Sequence, residues 1–345
     1  MRVGIIAPVA WRTPPRAYGP WEQVASNVAE GLVARGHDVT LFATADSLTA
    51  GTLSAVVPRG YEADRSQDAK VCEYMHLAHV FERAHQFDVL HNHFDFMPLA
   101  YSRLVKTPMV TTIHGFSSER IVPMYARYDG HVRYVSISDS DRHPGLTYAA
   151  TVYNGIETTA FRFGGVAETR DNPHGRHLLY FGRMHPDKGP VDAIEIARRA
   201  GMKLVLAGLI QDAGYWEREV LPKIDGEQVV YLGNIGAEER REVLARATAL
   251  LHPIYFDEPF GLSVAEAMIS GCPVIAYDRG SMPELIKDGV SGYRVGSLEE
   301  AVAACAKTDE IDRAACRAYA TEKFSREAMA AGYERVYEQM LIRAT

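Results

Sequence analysis

Residues 255–276 read YFDEPFGLSVAEAMISGCPVIA and hold two glutamates, Glu258 and Glu266, with seven residues between them. The proline and glycine after Glu258 and the alanine-containing run around Glu266 predict a helix over residues 261–270. Backbone N–H groups at the amino end of such a helix have no partner within it and favour an anion. Glu258 then lies beside an anion site, and Glu266 lies about 7 Å farther along the helix, at about 1.5 Å per residue.

The distance between the two glutamates bears on their chemistry. They do not suit the acid and base of one glycoside hydrolase, whose carboxyl groups stand about 5–9 Å apart across a single bond. They suit two separate sets of hydroxyl groups on one elongated ligand. From spacing alone a structural alternative stays open, in which Glu258 compensates the helix dipole and Glu266 lies on the helix surface.

Strands and helices alternate on both sides of this stretch. Near the start of the chain, RVGIIAPV predicts a buried strand, WEQVASNVAEGLVARG an amphipathic helix ending at a glycine, and HDVTLFAT a second strand. Repeated βαβ units of this kind form parallel sheets. A second alternating series begins at HLLYFG, and the polar, glycine-rich segment before it predicts a linker near residues 155–175. The chain is therefore predicted to fold as two α/β domains.

Composition excludes several classes of protein. The 345 residues are 47% hydrophobic and 23% charged, which is typical of a globular protein. The formal net charge of -7 argues against a broad basic surface for nucleic acid. No stretch approaches the roughly 18 apolar residues of a membrane-spanning helix, and the first residues lack the features of a signal peptide. The four cysteines form no CxxC pair, so we expect a cytoplasmic protein without a disulfide framework.

Two loops could contact a phosphate group. YFGRMHPDKG, residues 180–189, places Arg183 and Lys188 at the carboxyl end of a predicted parallel strand, where open α/β sheets bind ligands. An arginine fork with a lysine point charge suits a diphosphate, although two loop cations are more often simply solvated. In the first βα turn, Gly19 allows a close approach of the backbone to a ligand. A GxGxxG fingerprint is missing there, so a nicotinamide dinucleotide site lacks its main support.

Three histidines follow or end predicted strands. His91 and His93 point to one face of a strand by the period of two, and His114 ends another strand in TTIHG. Three histidines could bind zinc, but no carboxylate or cysteine completes a plausible ligand set. We therefore interpret them as polar residues at strand ends and predict no metal site.

An ordered series of motifs runs over almost the whole chain: RGHDVTLFAT, FDVLHNH, TTIHG, VSISDS, VYNGIE, LLYFGRMHPDKG, DEPFGLSVAEAMISGCPVIA and MPELIKDGVSGYRV. This series resembles that of the retaining nucleotide-sugar glycosyltransferases of the GT-B fold, most closely glycosyltransferase family 4. The resemblance implies two Rossmann-like parallel-sheet domains facing each other across a cleft. Residues 1–160 would bind the acceptor, residues 161–325 the nucleotide-sugar donor, and a helix over residues 326–345 would cross back to the first domain.

The resemblance also implies roles for the residues singled out above. Arg183 and Lys188 would hold the diphosphate and neutralise the charge that builds as it leaves. Glu258 would accept hydrogen bonds from the transferred sugar, and Glu266 would bind the ribose hydroxyls. Further implied contacts are the backbone N–H groups of Phe260, Gly261 and Leu262 beside the sugar, the backbone near Ile235 against the base, His114 on the sugar, and Gly19 on the phosphates.

One departure from the family's pattern concerns the first loop. Similar proteins often carry Gly-Gly there, whereas Gly19 is followed here by Pro20, which has no N–H to offer a phosphate. Trp21 and Glu22 are then expected to shape the acceptor side. A second departure, RGSMPEL in place of a common Gly-Gly before PEL, leaves the fold prediction unchanged.

The implied activity is metal-independent, retaining transfer of a hexosyl group from a UDP- or GDP-hexose to a hydroxyl group of a glycan, a glycolipid or a small-molecule glycoside. Two alternatives stay open: an NDP-sugar epimerase of the same fold, and a sugar-nucleotide-binding protein without activity. No cofactor, metal or nucleic-acid partner is expected. A peripheral membrane contact stays open for a lipid acceptor, although no basic amphipathic helix is evident.

Overall fold

The computed structural model describes residues 1–16, 19–116, 118–170 and 173–342, which form two compact units. Unit 1 contains Met1–Gly155 and the last helix of the chain, and unit 2 contains Ile156–Ser325. Each unit has its own parallel sheet, which confirms the prediction of two α/β domains. Among the described residues, no helix has the length and apolar character needed to cross a membrane.

Unit 1 has a seven-stranded parallel sheet in the order β3-β2-β1-β4-β5-β6-β7. Both β4 and β5 are buried along their whole length, as expected for strands covered on both faces. The strand order reverses between β1 and β4, and this switch point is where open α/β sheets bind ligands. The strands are β1 Arg2–Ile6, β2 Asp38–Phe42, β3 Thr52–Ser54, β4 Val89–Asn92, β5 Met109–Ile113, β6 Arg133–Ser136 and β7 Tyr148–Thr151.

The last helix packs on the first helix of unit 1. A Cβ atom at Gly31 would lie 2.8 Å from the Cβ of Ala330, so the glycine allows the two helices to approach closely. The last helix was predicted over residues 326–345, of which 343–345 lie outside the described residues. The helices of unit 1 are α1 Pro20–Ala34, α2 Ala69–Phe81, α3 Val122–Tyr128 and α12 Arg326–Ile342.

Unit 2 repeats this arrangement with six parallel strands in the order β10-β9-β8-β11-β12-β13, and its switch point lies between β8 and β11. The strands are β8 His177–Phe181, β9 Lys203–Ala207, β10 Val229–Tyr231, β11 Ala249–His252, β12 Val274–Tyr277 and β13 Gly292–Val295. The helices are α4 Val166–Arg170, α5 Pro190–Arg199, α6 Ala213–Tyr215, α7 Ala237–Arg246, α8 Leu262–Ile269, α9 Met282–Leu285, α10 Leu298–Cys305 and α11 Arg313–Phe324.

The segment predicted as a linker is largely packed into unit 2. Ile156 donates its N–H to the carbonyl of Phe324 at 2.8 Å, and Phe161 is buried. A Cβ at Gly164 would lie 1.7 Å from the carbonyl oxygen of Ala245. Glycine therefore serves close packing at this position, whereas the glycine-rich composition by itself predicts only a linker. Residues 171 and 172 of this segment lie outside the described residues.

Candidate functional site

The loop after β8, the last residue of β11 and the loop after β11 bring three charged or polar side chains together at the switch point of unit 2. Lys188 Nζ donates to Glu258 Oε2 at 2.6 Å, and His252 Nε2 lies 3.6 Å from the same oxygen. The side chains of Lys188 and Glu258 are only 14% and 16% exposed. A carboxylate and a cation are thus held together, mostly shielded from water, where a ligand of an α/β sheet binds.

The charge state of Glu258 follows from its neighbours. Burial alone would raise the pKa of this carboxyl group, but the contacts with His252 and Lys188 outweigh burial and hold the pKa at about 2. Glu258 is therefore ionised near neutral pH and can only accept hydrogen bonds. Hydroxyl groups of a ligand are suitable donors to it.

Backbone contacts hold the loop that carries Glu258. Ser281 donates its N–H to the Glu258 carbonyl at 3.0 Å and its hydroxyl to the Phe260 carbonyl at 2.7 Å. Gly280 has φ 56, and a Cβ there would lie 2.4 Å from the Glu258 nitrogen. The segment between β12 and α9, which contains Gly280 and Ser281, therefore supports the loop that carries the Glu258 carboxylate.

The amino end of α8 follows directly. Gly261 adopts a left-handed conformation, φ 86, as the residue before the helix, and Val264 makes the first intrahelical hydrogen bond, to the Gly261 carbonyl. The N–H groups of Gly261 and Leu262 precede that bond, so they belong to the set that an anion can satisfy. Phe260 is buried with its ring edge-on to Phe324. The structure thus places all three predicted backbone residues at the start of α8.

Arg183 follows β8 at the same end of the sheet. Its Nη1 donates to Gln211 Oε1 at 2.5 Å, and its carbonyl accepts from the hydroxyl of Tyr180 at 2.9 Å. The buried Tyr180 has a pKa well above its ordinary value, chiefly through burial, with the charges of Arg183 and Glu258 acting in opposite directions. The charges of Arg183 and Glu258 therefore both influence the Tyr180 hydroxyl, at the carboxyl end of β8.

Glu266 has a different partner. It is 5% exposed within α8, and Arg240 Nη2 lies 3.2 Å from its Oε1. Burial raises the pKa of Glu266, while Arg240 and Arg241 act against that rise. The alternative that Glu266 lies on the helix surface is therefore wrong. Ile235 is half-buried in the loop that connects β10 to α7, the helix of Arg240.

In unit 1, two of the three histidines form a pair at the carboxyl ends of β4 and β5. His93 Nδ1 lies 3.0 Å from His114 Nε2, and the Trp21 ring stacks on His114 with centroids 5.7 Å apart. The half-buried His114 ring is shielded enough that burial lowers its pKa to about 3, so the ring is neutral near pH 7. A neutral ring can donate one hydrogen bond and accept another.

The third histidine joins the last helix to the sheet. His91 Nε2 lies 2.8 Å from Thr112 Oγ1, and its Nδ1 lies 2.7 Å from the hydroxyl of Tyr337 in α12. Tyr333 of α12 reaches the same threonine at 2.8 Å. Both nitrogens of His91 are thus hydrogen-bonded, so the ring is not free to coordinate zinc. Within the described ranges, no group of three or more His, Cys, Asp or Glu residues could hold a metal ion.

The first loop of unit 1 packs on Glu22. Gly19 precedes α1 with φ 149, and a Cβ there would lie 2.8 Å from Pro15 Cβ and 3.1 Å from Glu22 Oε2. Pro20 is the first residue of α1. Glu22 is buried, and its Oε1 accepts the N–H of Trp11 at 3.2 Å. The Gly19 turn therefore closes over a buried carboxyl group.

Sequence reasoning missed three polar residues of unit 2. His252 beside Glu258 could have been found, because it ends the apolar run of β11 at the ligand-binding edge of the sheet. Gln211 and Arg240 carried no comparable signal. They lie 28 and 26 residues from their partners Arg183 and Glu266 in the chain, and only the fold brings them together.

The buried histidines predict acid sensitivity of unit 1. Burial lowers the pKa of His76 to about 4 and that of His91 to about 3, against about 6.5 in an unfolded chain. Below pH 6.5 the unfolded state binds protons that the folded state excludes. Between pH 6.5 and 5 each ring therefore removes about 2 kcal/mol from the free energy of unfolding. Burial raises the pKa of Glu22 to about 7, which acts in the opposite direction and offsets about one histidine.

We expect the urea concentration at the unfolding midpoint of unit 1 to decrease as the pH is lowered from 7 to 5. The His76→Gln variant provides the control, because its amide can replace the contact of His76 Nε2 with the Ala7 carbonyl at 3.0 Å and does not titrate. The variant should lose less stability over the same pH range. An unchanged midpoint in the original protein would contradict the burial of neutral rings.

Two family models match the chain. The model described as Glycosyltransferase Family 4 matches residues 21–143, and the model described as Glycosyl transferases group 1 matches residues 167–323. Together they span most of both units. The second match contains the loops of Lys188 and Glu258 and the helix of Glu266.

Similar proteins extend over nearly the whole chain. Glycogen synthase from Mycobacterium tuberculosis is 24% identical over 362 residues, covering 88% of this chain and 85% of that protein. Phosphatidyl-myo-inositol mannosyltransferase from Mycobacterium leprae is 23% identical over 371 residues, covering 98% and 96%. Among solved structures, Anabaena HepE in complex with UDP has a TM-score of 0.73 at 17% identity and covers 98% of this chain and 100% of that one. This likeness supports the same overall fold.

Proposed function

Since the chain is a glycosyltransferase of the GT-B fold and of the family 4 type, we propose that it transfers a hexosyl group from a nucleotide-diphosphate sugar to a hydroxyl acceptor with retention of configuration. In this proposal unit 2 binds the donor and unit 1 binds the acceptor. The reaction needs no metal ion, and the protein acts in the cytoplasm. The free, buried state of all four cysteines is compatible with that location.

The observation that carries the proposal is the Lys188–Glu258 pair beside the amino end of α8. One cation, one ionised carboxylate and the N–H groups that precede the first hydrogen bond of α8 lie at a single switch point. A nucleotide sugar carries both a diphosphate and hydroxyl groups, so it can satisfy all of these groups at once. HepE has been solved with UDP and with UDP-glucose, which supports a donor of this chemical class.

The residues suggest how each part of the donor is held. Lys188 and Arg183 would contact the diphosphate, and Glu258 would accept hydrogen bonds from the hydroxyls of the transferred sugar. Glu266, which is paired with Arg240, would accept hydrogen bonds from the ribose hydroxyls. The backbone near Ile235 would contact the base, which we propose to be uracil or guanine. His114, neutral and stacked on Trp21, would donate or accept one hydrogen bond on the sugar.

The proposed step breaks the bond between the anomeric carbon and the diphosphate oxygen. The electron pair leaves with the phosphate, and the acceptor oxygen bonds to the same face of the sugar. The acceptor's proton passes to the departing phosphate oxygen. A nucleoside diphosphate is a good leaving group, so the protein has to neutralise charge rather than supply an acid. Arg183 and Lys188 have that task.

Calorimetric titration tests the proposal. UDP, GDP, ADP and their hexose conjugates are titrated into the protein in the presence of EDTA. Binding of one nucleotide and its conjugate is expected, and it would identify the base and exclude a required divalent metal for binding. If no nucleotide binds, the assignment of unit 2 as the donor unit is wrong.

Arg183→Ala should weaken binding of that nucleotide about tenfold to a hundredfold, because a charge-assisted hydrogen bond contributes about 1.5–3 kcal/mol. Arg218→Ala, a change of an exposed arginine of unit 2, is the matched control and should bind normally. Equal affinity of the two variants would remove Arg183 from the diphosphate site.

A further inference from the structure

Unit 1 contains a cavity of about 540 Å³ at its own switch point. The segments that follow β1 and β4 line it, which is the position where open α/β sheets bind ligands. Its walls combine aromatic rings with carboxyl groups. The rings include Trp11, Trp21 and Tyr61, and the carboxyl groups are those of Glu22, Glu73 and Asp95.

The carboxyl groups have no cation beside them in this cavity. Glu73 Oε1 accepts from the hydroxyl of Tyr61 at 3.0 Å, and Asp95 Oδ1 accepts from that of Tyr125 at 2.5 Å. No lysine or arginine belongs to the lining in the part of the chain that the structure describes. Burial raises the pKa of Glu22, Glu73 and Asp95, as expected for carboxyl groups without a positive neighbour.

Glu22 is the buried one of the three, whereas Glu73 and Asp95 are half-buried. The residue is 3% exposed, and its Oε1 accepts the N–H of Trp11. Its Oε2 lies at the Gly19 turn, 3.1 Å from where a Cβ of that residue would be. A buried carboxyl group on a cavity wall can accept hydrogen bonds from the hydroxyl groups of a ligand or from water.

Trp21 connects this cavity to His114. The indole lines the cavity and also stacks on His114 with an interplanar angle of 21°. The apolar face of a sugar ring packs well on an aromatic ring, while its hydroxyls require acceptors at the rim. A ligand in the cavity that contacts Trp21 would therefore be separated by this indole ring from His114, the histidine that we assign to the transferred sugar.

We propose that this cavity binds the acceptor, and that it selects a saccharide without phosphate or any other anionic group. The inference rests on the proposed glycosyl transfer and specifies its acceptor class. Glu22 accepts a hydroxyl or ammonium hydrogen of the acceptor, Trp21 and Trp11 supply the apolar surface, and Glu73 and Asp95 add to the negative field. A phosphate here would meet three carboxyl groups and no cation. Neutral sugars and amino sugars both avoid this repulsion.

Tryptophan fluorescence measures occupancy of the cavity without any turnover. The chain has three tryptophans, and Trp216 lies in unit 2, so the Trp216→Phe protein reports on Trp11 and Trp21 alone. The probes are the methyl glycosides of glucose, galactose, mannose and glucosamine, each paired with its 6-phosphate. The titrations are made at pH 8, above the pKa of about 7 of Glu22, so that this carboxyl group is ionised. We expect saturable quenching by at least one unphosphorylated member, with its 6-phosphate binding at least about tenfold more weakly, since like charges a few ångströms apart repel by over 1.4 kcal/mol.

Glu22→Gln in the same background tests the role of the carboxyl group. The amide keeps the size of the side chain and an oxygen for Trp11 N–H, so the preference for the unphosphorylated sugar should decrease while the fold is retained. Glu73→Gln should act in the same direction. Glu30→Gln, on the same helix but outside the cavity, should change nothing.

Two results would overturn the inference: a phosphorylated probe that binds as tightly as its neutral partner, or no quenching by any probe at its solubility limit. Calorimetry of the nucleotides on unit 2 separates this failure from failure of the proposed function. Donor binding without sugar quenching refutes only the acceptor cavity, whereas quenching without donor binding refutes the donor site.

Discussion

Lys188→Ala is expected to reduce glycosyl transfer about a hundredfold to a thousandfold, the range seen when one preorganised donor to a developing anion is removed. The side chain is the cation of the only ion pair that joins the loops after β8 and β11 among the described residues. Its loss would leave the departing diphosphate without that positive charge. It would also leave the buried Glu258 with His252 as its remaining neighbour at 3.6 Å.

The measurement is the initial rate of nucleoside diphosphate release with the donor that calorimetry identifies. Lys223→Ala is the matched control. Lys223 also lies in unit 2, where its Nζ contacts Glu219 and its carbonyl accepts from Arg198 Nη2. The control should turn over normally. A thermal melt establishes that the Lys188 variant is folded. A rate close to that of the unchanged protein would refute the role of Lys188 in charge neutralisation.

Gly189→Ala is expected to destabilise unit 2 strongly and to abolish transfer. Gly189 has φ +67, and a Cβ there would lie 1.9 Å from the carbonyl oxygen of Pro253. An alanine must therefore push apart the two loops that hold Lys188 and Glu258. Left-handed backbone costs a non-glycine residue about 1–2 kcal/mol, and overpacking adds about 1–3 kcal/mol.

Gly201→Ala separates these two costs. Gly201 also lies in unit 2 with φ +65, but a Cβ there would meet nothing within 4 Å. This variant should lose only the conformational part, about 1–2 kcal/mol, and should keep its activity. Urea unfolding of both variants gives the comparison. If Gly189→Ala is no less stable than Gly201→Ala, the close approach to Pro253 does not hold the two loops together.

Much of the fold could be read from local patterns. Apolar runs such as that of β1 and amphipathic runs such as that of α1 have the periods of strand and helix, because one face of each must be buried. Short elements were harder to predict. The strand β3 has three residues, none of them buried, so its place in the sheet depends on pairing with β2 rather than on its own pattern.

The segment near residues 155–175 shows what composition leaves undetermined. At Gly164 the backbone passes against Ala245, and this contact is invisible in sequence. Spacing placed Glu266 on α8 but could not tell a surface residue from a buried one. Its pairing with Arg240 requires that α7 and α8 lie side by side.

By itself, then, the sequence determined the two α/β units, the parallel strands and the loops on which Arg183, Lys188 and Glu258 lie. Hydrophobic periodicity and turn residues act over a few neighbouring residues, so they can be recognised in the sequence. Tertiary structure decided which charges meet: Lys188 with Glu258, and Arg240 with Glu266, whereas Glu22 faces a cavity whose described lining contains no lysine or arginine. Such pairings depend on contacts between residues far apart in the chain, and they set the protonation states and the chemistry that each unit offers a ligand.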